Sequence, residues 1–144
     1  MKTLITMAIA LVFAFSMAQE PVLPDVVKTK FEIKYPESKL DDWWFENHLY
    51  HISYTYHPYS YTAVFDTLGL WQETSELISD FDIPAGMKNY LKEKYPSGTI
   101  SYCEKVQTKD DLKFIRVNFY DKNQILIFHC DNTGRNITKH DPQN

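Results

Sequence analysis

Apolar positions recur every fourth residue in two separate stretches of the chain. Leu23, Val27, Phe31 and Tyr35 form the first stripe, and Ile83, Met87, Leu91 and Tyr95 the second, sixty positions later. That period predicts helices over residues 24–35 and 84–95. Pro24 and Pro84 stand where a first helical turn tolerates a missing N–H, and Pro36 and Pro96 stop each run. Between the stripes the period changes to two. Residues 50–57 place Tyr50, Ile52, Tyr54 and Tyr56 on one side and His51, Ser53, Thr55 and His57 on the other, as a strand requires.

Further strands are expected over residues 40–45, 61–65 and 70–74, with 46–49 as a turn and 75–79 adding a helical turn before the second helix. Asp66 to Gly69 reads as a tight turn, since Asp opens such turns and Gly supplies the positive φ that ends them. The second stretch repeats the order, with strands near 100–106, 112–120, 124–130 and 135–138. Its last turn, Asp131 to Gly134, lies 65 positions after the first rather than sixty, so five residues are gained between, expected around the polar 108–111 hairpin. A fixed-spacing repeat governs architecture. The expected class is α+β: two tandem repeats, 19–80 and 81–139, each one helix plus a four-stranded antiparallel meander, with the helices packed on one face of the sheet. The meanders either join edge to edge or sit side by side.

Residues 1–18 carry a different signal. Lys2, an apolar run over 4–15 too short to span a bilayer, and the small residues Ser16-Met17-Ala18 read as a signal peptide cleaved after Ala18. Periplasmic or secreted localisation follows, with no later membrane span, and residues 140–144 form a polar tail. Removing the leader deletes Lys2 and no acid, so the formal net charge moves from −4 to −5. An acidic chain without a clustered basic face is a poor nucleic-acid partner.

Lys34-Tyr35-Pro36, Trp43, Phe65-Asp66 through Gly69 with Trp71, and Lys94-Tyr95-Pro96 together resemble the exported bacterial family called beta-lactamase-inhibitor-like, PepSY-like, over residues 22–138. The second copy departs from the pattern, with Tyr102 or Cys103 near the Trp43 position, Cys130 for Phe65 and Arg135-Asn136 after the glycine. The resemblance implies a two-repeat α+β fold with an exposed sheet face and a binding or inhibitory role. It implies no catalytic residues.

No cofactor or metal is expected. His51 and His57 share a strand face but lie six residues apart, about 20 Å when extended, too far for joint chelation. Asp41-Asp42, Asp80 with Asp82, and Asp110-Asp111 fall at element ends, where Asp serves local hydrogen bonds, and none adjoins a nucleophile. Phosphate-loop and serine-hydrolase motifs are missing from the sequence. Cys103 and Cys130 fall on strands that are not neighbours, which favours two buried thiols over a disulfide.

Aromatic residues make up 15% of the chain and crowd into the first copy. Copies with one structural job keep their helix-facing residues alike and are free to differ where they face water. Trp44, Tyr54, Tyr56 and Tyr59 are therefore the candidate binding residues, placed on the open side of the first sheet, with Trp43 beside them; Trp43 and Trp44 point opposite ways along their strand, so one of the two faces that side, and burial of the tyrosines in the core is the competing reading. The chain reads as a non-enzymatic binding module for a protein or peptide. The alternative is a small-molecule or metal carrier, and after it a hydrolase.

Overall fold

The computed structural model describes residues 22–140; the expected signal peptide and residues 141–144 of the tail lie outside them. Helix α1 (Asp25–Lys34) leads into strands β1 (Lys39–Glu46), β2 (Leu49–Tyr56), β3 (Tyr59–Asp66) and β4 (Trp71–Ile78). A 3-10 turn (Asp80–Asp82) precedes helix α2 (Ala85–Lys94) and strands β5 (Thr99–Thr108), β6 (Lys113–Asp121), β7 (Gln124–Cys130) and β8 (Thr138–His140).

The expected α+β class, two repeats of one helix plus a four-stranded meander, is corrected here. Among the described residues all eight strands form one antiparallel sheet in sequence order, β1 to β8, and only two ten-residue helices accompany it, so the fold is predominantly β. The joint is β4 against β5, in register from Glu73↔Thr108 to Ile78↔Cys103. Segment 75–79, expected as a helical turn, instead extends β4, because its backbone groups find partners on β5. The last strand is only Thr138–His140, shorter and later than expected. The five-residue gain falls in the β5–β6 hairpin: Trp43 pairs with Ile52 nine positions on, Cys103 with Val117 fourteen on.

Both helices cover the same face. Val27 and Phe31 of α1 bury against Ile52, Tyr54, Ala63 and Phe65. Met87 and Leu91 of α2 bury against Cys103, Val117, Phe119, Phe128 and Cys130. Register places these strand residues on one side, since Tyr54, Tyr61, Glu76, Lys105, Ile115 and Cys130 lie in one row across the sheet. Two glycine turns lock the helices down. Gly69 (φ 76°) packs on Val26 and Lys30 of α1, and Gly134 (φ 77°) on Pro84 and the backbone of α2, where a Cβ would come within 2.8 Å of the proline ring. The acids opening those turns hold them shut: Asp66 accepts from the amides of Leu68 and Leu70, and Asp131 from those of Thr133 and Arg135. Hydrogen bonds, led by the Thr133 hydroxyl, draw the Asp131 carboxyl down to about 2.

Cys103 and Cys130 are unbridged thiols buried under α2, on strands separated by β6. Burial, assisted by Asp131, pushes the Cys130 thiol up to about 11, and burial also raises that of Cys103. Neither should react with a thiol reagent near about pH 8 in the native state, and both should in denaturant. Fast native-state labelling of either would contradict the packing.

All three tryptophans, Trp43, Trp44 and Trp71, lie before β5, so their fluorescence reports the first half of the sheet. Phe128→Ala, which empties the core under α2, should cost about 3–5 kcal/mol. If the sheet unfolds as one unit, the tryptophan-detected urea midpoint must fall with it. An unmoved midpoint would mean two independent halves.

Candidate functional site

The face opposite the helices carries no covering element among the described residues. Its side chains follow from strand alternation. One row across the sheet is Trp44, His51, Val64, Glu73; the next is Asp42, Ser53, Thr62, Ser75, Val106, Phe114; a third runs Leu77, Glu104, Arg116, His129. The serines and threonine of the middle row are short, and they lie between longer side chains. A groove of about 370 Å³ results, lined by Trp44, His51, Tyr102, Leu77 and Arg116 among others.

Arg116 organises the polar part of the groove. Its guanidinium donates to both carboxylate oxygens of Glu73 at 2.9 Å and to Glu104 at 3.4 Å, thereby reaching from β6 over β5 to β4. Ser75, itself buried, donates to the other oxygen of Glu104 at 2.7 Å. Side-chain exposures of 21% for Arg116, 23% for Glu73 and 13% for Glu104 leave this network poorly hydrated, so each member needs the others. Around it the apolar groups stay in water: Trp44 is 41% exposed, Tyr102 47% and Leu77 52%.

The expected binding residues separate onto two faces. Trp44 stands on the open face, its ring stacked on His51 at 5.0 Å. Trp43 pairs with Ile52 and packs on the helix-side core. The placement of Tyr54, Tyr56 and Tyr59 on the open face is corrected: they share the alternation of Ile52, so they point to the helix side. Tyr54 is buried against Phe31 at a ring distance of 5.2 Å, which fulfils the core reading for that residue. Tyr56 and Tyr59, paired across the β2–β3 hairpin, remain half exposed. Tyr54, Tyr56 and Tyr61 line a second cleft, of about 300 Å³, with Tyr35 at the end of α1. The sequence alone does not bring Tyr102, Leu77, Glu73, Glu104 and Arg116 together. Their alternation is visible there, but their meeting depends on β4 joining β5.

Farther along the open face Phe114, His129 and His140 stack in series, at 4.4 Å and 4.0 Å between rings. Burial first, then the charges of His140 and Arg116, push the His129 pKa down to about 4. With an ordinary value of about 6.5, the unfolded chain takes the proton first. The contribution of neutral His129 is therefore complete above about pH 6.5 and is lost as pH falls toward about 4. His129→Gln should flatten the decline of the urea midpoint across that window; an unchanged slope would show an ordinary, freely titrating ring.

No protein-family model matches the sequence, and no curated protein does. Solved structures share the fold. The chain is similar to a DUF2874 family protein from Bacteroides uniformis, with a TM-score of 0.65 and 15% identity over 82% of this chain and 90% of that one. It is similar to a BLIP-like protein from Bacteroides fragilis, with a TM-score of 0.64 and 13% identity over 85% of this chain and 90% of that one. A candidate periplasmic protein from Bacteroides eggerthii gives a TM-score of 0.65 and 14% identity, over 83% of this chain and 90% of that one. At such identity the likeness is one of fold, and the expected likeness to beta-lactamase-inhibitor-like proteins holds at that level.

Proposed function

We propose that this protein is an exported, non-enzymatic binding module that takes a protein or peptide segment across the open face of its sheet. One observation carries the reading: both helices cover one face, and the other presents a groove with exposed Trp44, Tyr102 and Leu77 around a fixed polar centre. Exposed aromatic anchors around a rigid centre are what interface cores are made of. Arg116, Glu73, Glu104 and Ser75, the polar centre of the groove, are engaged with one another rather than poised as a nucleophile with a base. The shared fold with a BLIP-like protein and a candidate periplasmic protein agrees with binding and with export. Export itself rests on the leader signal of residues 1–18. No helix among the described residues is long and apolar enough to cross a membrane.

A second reading, a small-molecule carrier, draws on the tyrosine-lined cleft beside α1, whose walls are aromatic and whose rim bears Lys34 and Glu37. The two readings use opposite faces, so substitutions separate them. Trp44→Ala and Leu77→Ser should weaken capture of an envelope protein by about 2 kcal/mol or more without moving the melting temperature. Tyr56→Ala should leave that capture unchanged. The reverse pattern, with small-molecule binding lost on Tyr56→Ala, would assign the protein to the carrier class.

A further inference from the structure

Alternate residues of β1 set Asp42, Trp44 and Glu46 in line on the open face. Successive members stand about 6.6 Å apart along the strand. The indole lies in the middle, with one ring face against His51, the planes 9° from parallel, and 41% of the residue exposed. His51 adds no positive charge at neutral pH, because burial, outweighing the pull of Glu46 and Glu73, lowers its pKa. Glu46 is also part of the groove wall, with Glu73 and Glu104 deeper in. The groove lining thus holds three carboxylates and one guanidinium, and that guanidinium is occupied by Glu73 and Glu104. Asp42 and Glu46 form no ion pair with a residue of the described chain. The groove also extends from β1 to β6, about 24 Å at the spacing of neighbouring strands, room for an extended segment of roughly seven residues.

Asp42 accepts from the Trp43 backbone N–H at 2.8 Å through one oxygen, and neither it nor the Glu46 carboxylate has a counter-charge among the described residues. An exposed indole flanked by two such carboxylates suits a cation that is also a flat or amphipathic side chain. We propose that the partner segment is basic, and that an arginine or lysine of it lies over Trp44 between Asp42 and Glu46. This rests on the open face being the binding surface. Charge complementarity sets the sign: an acidic segment would meet the surplus carboxylates of the groove, and a neutral one would leave Asp42 and Glu46 unpaired.

The test uses the whole protein and three peptides of about ten residues, in which serine alternates with arginine, glutamine or glutamate. Titration calorimetry at low salt should give the arginine peptide at least about tenfold tighter binding than the glutamine peptide, and no binding of the glutamate peptide. Raising the salt from about 0.05 to about 0.5 M should weaken it. The double variant Asp42→Asn with Glu46→Gln should lose about tenfold. The double variant Glu37→Gln with Glu93→Gln changes net charge equally on the helix side and should lose nothing. Equal losses in the two double variants would reduce the effect to net charge and overturn the proposal, as would failure of the arginine peptide to bind. If arginine and glutamine peptides bind alike and Trp44→Ala abolishes both, the cation claim falls while the open-face reading stands. If Trp44→Ala leaves capture of the envelope protein intact, the open-face reading itself falls.

Discussion

The pairing of β4 with β5 is the contact on which the rest of the molecule depends. A meander ending at β4 would leave a row of N–H and C=O groups open along Glu73 to Ile78, and one starting at β5 would leave another from Cys103 to Thr108. Each open edge is a cost in unpaired backbone groups or a template for aggregation. Joining them satisfies both rows at once. It also carries Ile78 over to Cys103, so that the core under α2 begins on the last strand of the first half.

Because the sheet is continuous, each face is continuous too. The helices occupy one face, each held by a glycine turn from the far end of its own strands, and this leaves the other face whole. Its groove crosses the joint: Trp44 and His51 come from one side, Tyr102, Glu104 and Arg116 from the other. Arg116 ties the two sides together in side-chain chemistry as the ladder does in backbone chemistry, since its partners Glu73 and Glu104 lie on the two strands that meet there. The polar centre of the groove is thus rigid for a reason of topology. Neither half could make it alone.

The aromatic surplus of the first half is divided by the same geometry. Tyr54 and Tyr61 stack at 5.3 Å on the helix side, where Tyr54 closes the core over Phe31, and Tyr35 bonds to Thr74 by its hydroxyl. Tyr56 and Tyr59, beyond the end of α1, have no helix above them and stay half exposed. What distinguishes buried from exposed tyrosine here is the length of a ten-residue helix, about 15 Å, and not the type of residue.

Local pattern was enough for the two helices, whose four-residue apolar stripes and bounding prolines place them within a residue or so, and for the Asp-to-Gly turns that need a positive φ. It was enough for the alternation of β2, and so for His51 opposite Ile52, and for that of β1, which points Trp43 and Trp44 opposite ways. These features arise from interactions within a few positions along the chain. The sequence could not say whether the meanders join, since edge pairing is made by backbone groups common to all residues. Without the joint, 75–79 reads as a helical turn, and without the helices in place Tyr54, Tyr56 and Tyr59 read as a surface. The meeting of Trp44 with Tyr102, and of Glu73 with Arg116, depends on register accumulated across several strands, which no local period records. Tertiary structure alone decided which face is open and which side chains share it, because a strand's alternation names two faces and only the packed helices choose between them.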